Sequence, residues 1–370
     1  MIYVLLFLAA CFLAYSNGAN DNFKGVATLF GSGTTNYKTA ITWATVTTAS
    51  GSIAAIFLAE TLVKNFSGKG LVPNELLLNP SFAIAIALGA AITVFIATKI
   101  GMPISTTHSL VGGLFGAGVM AVGTAFNFAK LGNAFLMPLI VSPLMAAVVS
   151  FVVYLLFRFL RKQLGVTKSS CICVSEEAHL AQLANTQMAL QMNSTLSITA
   201  SNKGCAQNYE GKIMGVSSQH ILDKLHFLSA GIVSFARGLN DTPKIVGLLL
   251  IIGALDVKYS MLAIAVTMAV GGLLNAKKVG ITMSKKITSM NTGQGFTANL
   301  ITGLLVTTAS VHGMPVSTTH VSIGSIFGIG AVTKKSDTKM VGKIILSWAL
   351  TLPVAAIISA LIYLLLNQFS

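Results

Sequence analysis

Acidic side chains are nearly missing from this chain, with ten Asp and Glu among 370 residues. Charged residues of both signs make up 9%. A soluble domain carries about 25%, so an ordinary water-soluble fold is excluded. Cysteine is scarce as well: Cys11, Cys171, Cys173 and Cys205 are the whole set. Cys171 and Cys173 sit in a polar stretch where they could hold a metal, but no further ligands have suitable spacing. The first residues lack the basic n-region and small-residue cleavage pattern of a secretory signal. Met1–Tyr15 therefore reads as a first transmembrane helix. A hydrolase is disfavoured too, because nothing supplies a persuasive nucleophile with a base and an orienting acid.

What the chain does have is apolar length. It is 54% hydrophobic, with a mean hydropathy of +0.79. Long apolar runs recur at Met1–Tyr15, Ile41–Ala59, Phe82–Ala97, Phe135–Phe157, Ile245–Leu255, Met261–Leu274 and Ile344–Leu366. Each is close to or above the helix length that crosses a hydrocarbon core of about 30 Å. Backbone in lipid must satisfy its own hydrogen bonds, so these runs are read as helices. The net charge of +14 would suggest nucleic acid in a soluble protein. Here it clusters at 158–168, 275–286 and 333–343, as cytoplasmic loops do, so lipid is the expected surrounding and nucleic acid is not a partner.

The chain is also duplicated. GMPISTTHSLVGGLFGAG (101–118) and GMPVSTTHVSIGSIFGIG (313–330) agree at eleven of eighteen positions. GANDNFKG (18–25) recurs as GLNDTPKI (238–245), and both pairs occur in the same order. The reading is a first repeat over 1–158, a polar linker over 159–220 and a second repeat over 221–370. Each repeat shows five hydrophobic segments, and an odd number makes the copies enter the membrane from opposite sides. Lysine placement agrees: loop 61–80 holds Lys64, Lys69 and Glu75, whereas its counterpart 275–292 holds Lys277, Lys278, Lys285 and Lys286 with no acid. The expected fold is an all-α polytopic membrane protein of two inverted-topology repeats, with broken helices, re-entrant hairpins and about 10–12 membrane segments. The linker is placed in the cytoplasm and both termini outside the cell (inner) membrane.

Asp21 and Asp241 sit where apolar segments are interrupted, and a carboxylate at membrane depth usually marks an ion path. With Asn20, Asn240 and freed backbone carbonyls they suit a hard monovalent cation, and sodium is the preferred one. Gln294 and Asn299, in NTGQGFTANL, are further candidate cation ligands. Pro103 and Pro315 suit the first turn of a helix. That places Ser105, Thr106 and Thr107, and likewise Ser317, Thr318 and Thr319, at helix starts, where free N–H groups and hydroxyls bind oxyanions. Asp21 and Asp241 could also accept a hydrogen bond from a protonated oxyanion, which favours phosphate over sulfate. His108 and His320 either brace their hairpins or carry a proton. Lys24 and Lys244 either neutralise phosphate or snorkel toward the interface.

The doubled Gly-x-Asn-Asp and Pro-x-Ser-Thr-Thr-His motifs resemble those of the inorganic phosphate transporter (PiT) family of sodium- or proton-coupled phosphate symporters. The resemblance covers nearly all of the chain except the linker. It implies a phosphate site shared between inverted repeats, cation sites around the two aspartates, no cofactor besides the coupling ions, and a homodimer. It also leaves a proton-coupled phosphate symporter or a sulfate carrier as alternatives. Asn22-Phe23 against Thr242-Pro243 departs from strict symmetry, so the two halves contribute unequally.

Overall fold

The structure is a computed structural model that describes residues 1–168, 209–210, 212–213, 216–250, 256–287 and 290–368. Cys171, Cys173 and Cys205, raised above as a possible metal pair and its neighbour, lie outside these residues. The long helices are α1 (Ile2–Asp21), α2 (Tyr37–Leu58), α3 (Pro80–Ile100), α4 (Thr106–Val122) and α5 (Met137–Gln163). After the polar stretch come α6 (Ser218–Val246), α7 (Val257–Asn275), α8 (Thr292–Val311), α9 (Thr318–Thr333) and α10 (Thr338–Gln368). The chain forms two compact units, one of Met1–Arg158 with Leu222–Ser370 and the other of Phe159–Ile221. In the smaller unit, Thr167–Lys168 pairs antiparallel with Tyr209–Glu210.

Seven helical segments among the described residues are long and apolar enough to cross a membrane: Ile2–Gly31, Tyr37–Leu58, Pro80–Ile100, Thr106–Ala125, Phe128–Gln163, Val257–Asn275 and Thr338–Gln368. The protein is an all-helical, multi-pass membrane protein. Seven is fewer than the 10–12 segments expected from the repeats, and three helices account for most of the difference. α6 carries Asp223, Lys224, His226, Arg237, Asp241 and Lys244 along its 29 residues. α8 is diluted by Thr, Gln, Asn and Gly, and α9 has only 16 residues. The outer faces of α5 and α10 expose Ile140, Leu144, Val148, Ile345, Ile357 and Leu361, as lipid-facing helices should.

Duplication is visible in how the helices touch. A Cβ on Gly18 would lie 1.9 Å from the Met268 carbonyl oxygen, and one on Gly238 would lie 2.0 Å from that of Thr48. A Cβ on Gly51 would lie 1.9 Å from the Phe235 carbonyl oxygen, and one on Gly271 would lie 2.0 Å from that of Tyr15. Each of these contacts has a counterpart 220 positions away. So α1 packs on α7 and α2 packs on α6, each helix crossing a member of the other copy. Gly116 against Ala356 and Gly328 against Ala147 join α4 to α10 and α9 to α5 in the same exchanged way, where an added Cβ would lie 2.0 and 2.1 Å from the facing carbonyl oxygens. Small residues permit such close backbone approach between membrane helices, where no hydrophobic drive separates helix from lipid.

The two copies differ at the motif itself. α1 stops at Asp21, and a short 3-10 turn, Lys24–Val26, precedes the helix Ala27–Gly31. α6 instead continues through Asn240, Asp241 and Pro243 to Val246. A break expected in both copies is therefore present at the first Gly-x-Asn-Asp and displaced in the second. The Asn22 side chain donates to Thr45 Oγ1 at 2.8 Å and accepts from Arg237 at 3.1 Å, whereas its counterpart Thr242 bonds Ser52 at 2.7 Å.

Candidate functional site

Both Ser-Thr-Thr clusters stand at helix starts. α3 ends in a Schellman arrangement, with Met102 N–H donating to Ala97 O at 2.9 Å and Gly101 N–H to Thr98 O at 3.0 Å. α8 ends the same way, Met314 to Ala309 at 2.8 Å and Gly313 to Ser310 at 3.1 Å. Gly101 and Gly313 have φ of 78° and 71°, a left-handed conformation that glycine adopts without Cβ strain. The chain then turns through Met-Pro and enters α4 or α9. Ser105 and Ser317 cap those helices with almost the same backbone angles, φ −100° ψ 115° and φ −101° ψ 115°. Their hydroxyl oxygens accept from His108 N at 3.1 Å and His320 N at 3.3 Å. Each serine therefore spends an acceptor on its own helix and keeps its O–H to give.

The two helix starts and the two aspartates meet in one buried cluster. Asn20, Asn240 and Arg237 are fully enclosed, and Asp21, Lys24, Thr106, Thr107, Asp241, Lys244, Thr318 and Thr319 are at most 4% exposed. Asn20 ties α1 to the first hairpin, donating to Thr98 Oγ1 at 2.9 Å and Met102 O at 3.1 Å. Asn240 does the same in the second copy, donating to Val316 O and Thr318 Oγ1 at 3.2 Å each. Thr106 donates to Asp21 Oδ2 at 3.2 Å. The lysines cross between copies: Lys24 Nζ donates to Thr319 Oγ1 at 2.7 Å, and Lys244 Nζ to Thr107 Oγ1 at 2.8 Å. Both ammonium groups face inward, so the snorkelling alternative does not apply to either lysine.

Charge in the cluster departs from what the motifs suggest. Asp21 pairs with Lys24 at 2.5 Å, and Asp241 lies 3.6 Å from Lys244 and 3.7 Å from Arg237 Nε. Two carboxylates thus face three basic groups. Arg237 escaped the motif reading, as did Asn17, its equivalent 220 positions earlier. These two meet directly, Arg237 Nη2 donating to Asn17 Oδ1 at 2.5 Å. Asn17 Nδ2 in turn reaches Asp21 Oδ2 and Asp241 Oδ2, both at 3.2 Å, and Thr106 Oγ1 at 3.0 Å. The usable signal was spacing: each residue stands four positions before its aspartate, on the same helix face.

The remaining candidates lie elsewhere. Gln294 forms a capping box with Asn291 at the start of α8 and donates to Tyr154 OH at 3.2 Å. Asn299 accepts from Thr28 at 3.0 Å, and Thr28 is also 3.0 Å from His226 Nε2. These hydrogen bonds build a second polar group that shares no hydrogen bond with Asp21 or Asp241. His108 and His320 lie against each other beside the site, with ring centroids 4.4 Å apart and planes inclined at 48°, and the Trp348 ring centroid is 3.7 Å from that of His320.

Chemically, the cluster offers helix N–H groups, hydroxyls and buried cations to an oxyanion from both copies at once. Known proteins resemble this chain over nearly its whole length. The sequence profile of the phosphate transporter family matches residues 17–359. A Pyrococcus horikoshii protein provisionally named a phosphate permease is 27% identical over 390 residues, covering 95% of this chain and 94% of its own. A Rhizobium meliloti protein provisionally named a low-affinity inorganic phosphate transporter is 26% identical over 373 residues, covering 97% and 94%. A solved structure described as the sodium-dependent phosphate transporter superposes with a TM-score of 0.78 at 24% identity, over 100% of both chains. That likeness establishes the fold, and with the profile match it leads to one statement: the chain belongs to the phosphate transporter family, whose members are membrane transporters.

Proposed function

We propose that the protein is a secondary active symporter that carries inorganic phosphate with a coupling cation by alternating access. The observation that carries this reading is the convergence of both Ser-Thr-Thr helix starts on Asp21 and Asp241. One phosphate would sit between the helix starts of α4 and α9, taking N–H and O–H donors from each. The two copies would be inverted in the membrane, with the termini outside and 159–220 in the cytoplasm. Lys24, Lys244 and Arg237 already answer both carboxylates, so the site can admit an anion, and a cation that binds in the same loaded state is coupled to that anion by linkage.

Two coupling ions remain in play. Sodium is favoured by the supply of amide, hydroxyl and carbonyl oxygens around Asp21 and Asp241, and the structural neighbour's description names sodium. A proton is favoured by the lysines that already pair with both aspartates. Radiolabelled phosphate uptake into proteoliposomes, with sodium and proton gradients imposed separately, tests the reading. Uptake should follow one gradient, and Asp21→Asn or Asp241→Asn should each reduce it at least tenfold while the protein stays folded. Near-normal gradient-driven uptake in both variants would refute the proposal.

A further inference from the structure

The oxygens that a coupling ion would use around Asp21 are already gathered on another cation. Lys24 Nζ lies 2.8 Å from Asn20 Oδ1, 2.5 Å from Asp21 Oδ1, 2.7 Å from Ile104 O and 2.7 Å from Thr319 Oγ1. One carboxylate, one amide oxygen, one main-chain carbonyl and one hydroxyl form a hard, all-oxygen shell. An ammonium has three N–H bonds, yet four oxygens close on it, as they would on a small spherical ion. Lys244 repeats the arrangement in part, with Val316 O at 2.7 Å, Thr107 Oγ1 at 2.8 Å and Asp241 Oδ1 farther off at 3.6 Å, while Asn240 Oδ1 accepts from Ser310 instead. Ile104 and Val316 are equivalent positions, as are Thr107 and Thr319. Each shell thus takes its carbonyl from one copy and its hydroxyl from the other.

From these shells we infer that Lys24 and Lys244 are tethered cations: their ammonium groups hold the two positions an inorganic coupling ion would occupy, and so exclude sodium there. The inference rests on the phosphate-symport reading and chooses between its two coupling ions. Two features separate these groups from ordinary buried lysines. Neither makes a simple pair with its carboxylate, since each also binds the helix start of the opposite copy. Nor is there negative charge left for sodium to answer. With the ion pairs formed, Asp21 and Asp241 stand against Lys24, Lys244 and Arg237, leaving one positive charge. Dihydrogen phosphate brings that to zero. Monohydrogen phosphate leaves one negative charge, which a proton cancels by forming an O–H bond on the phosphate itself. The site is therefore neutral when it holds monohydrogen phosphate plus a proton, that is, dihydrogen phosphate, and the proton crosses on the substrate.

The test replaces the tether and reads the ion. Wild-type protein, Lys24→Ala and Lys244→Ala are compared for thermal unfolding in detergent and for phosphate binding, in sodium chloride against choline chloride. Wild-type protein should respond alike to both salts, and its uptake should follow an acid exterior with sodium making less than a twofold difference. Lys24→Ala and Lys244→Ala should acquire a sodium requirement, binding phosphate at least tenfold more tightly in sodium than in choline, with a sodium-dependent rise in Tm. Sodium-driven uptake or a sodium-dependent Tm in the wild-type protein would overturn the assignment. So would folded lysine variants whose phosphate binding ignores sodium. Should both alanine variants fail to fold, the wild-type salt comparison decides alone. Absence of phosphate uptake under either gradient would refute the symport reading, while the salt dependence of Tm, which needs no transport, would still judge the lysines.

Discussion

Arg237 shows how one residue breaks an otherwise two-fold site. Its counterpart is Asn17, a neutral amide, so the cluster carries a fork of N–H donors on one side only. That fork serves Asn17 Oδ1 and Asn22 Oδ1 at once, which the single ammonium of a lysine cannot do in the same geometry. Removing it leaves the Asn17 carbonyl without its donor and Asn22 with a long bond from Thr48 at 3.4 Å, and stranding a buried polar group costs about 1–3 kcal/mol. Arg237→Asn should lower stability by about 2–5 kcal/mol and abolish phosphate binding with it. Arg237→Lys should recover part of the stability and less of the binding, because charge returns but the fork does not. Thermal unfolding and calorimetric phosphate titration on the two variants check this, and equal recovery of both properties would show that only the charge matters.

At the level of helices, the glycines at the crossings determine what packs on what. In an exposed helix Gly→Ala stabilises by roughly 1 kcal/mol, so Gly342→Ala, where a Cβ meets nothing within 4 Å, should be neutral or mildly stabilising. Gly18→Ala and Gly238→Ala should do the reverse. Each would set a methyl about 2.0 Å from a carbonyl oxygen on the facing helix, and the helices must separate to admit it. Both variants should lose several °C of Tm in detergent and do so to a similar extent, as equivalent positions. A loss at one but not the other would show that the crossings α1 on α7 and α2 on α6 are not alike. Much of this level was legible in the residues: the capped starts at Ser105 and Ser317 follow from Pro-x-Ser-Thr-Thr, and the glycine turns precede them in both copies. The uninterrupted course of α6 was not legible, because Pro243 reads as a breaker and its accommodation depends on the packing around it. Gln294 reads in the sequence as a candidate ligand and in the structure takes part in a capping box, since a capping box and a cation shell draw on the same polar residues.

For the molecule as a whole, the proposed shared site predicts one phosphate per chain. Thr107 and Thr319, from different copies, sit on lysines of the opposite copy, so the two helix starts cannot serve separate anions without dismantling those bonds. Ser105→Ala and Ser317→Ala should each cost about 1 kcal/mol of stability through the lost cap, and each should weaken phosphate at the same single site. Calorimetry in detergent counts the sites, and two independent phosphates per chain would contradict the shared arrangement. Motif duplication gave the position of this centre along the chain. Its charge was beyond reach of the motifs, because Arg237 and Asn17 gain their meaning only when the copies face each other.

The exchanged crossings also bear on how the chain is made. Gly18 and Gly51 on the first copy wait for partners at Met268 and Phe235, residues that a ribosome delivers long after α1 and α2 have entered the bilayer. Until then the first copy holds bare glycine faces with no mate, and an Asp21–Lys24 pair that lacks the Thr319 hydroxyl of the second copy. Synthesis is therefore the period of greatest exposure to quality control, and a truncated chain ending before α6 would be a target for degradation rather than a half-active pump.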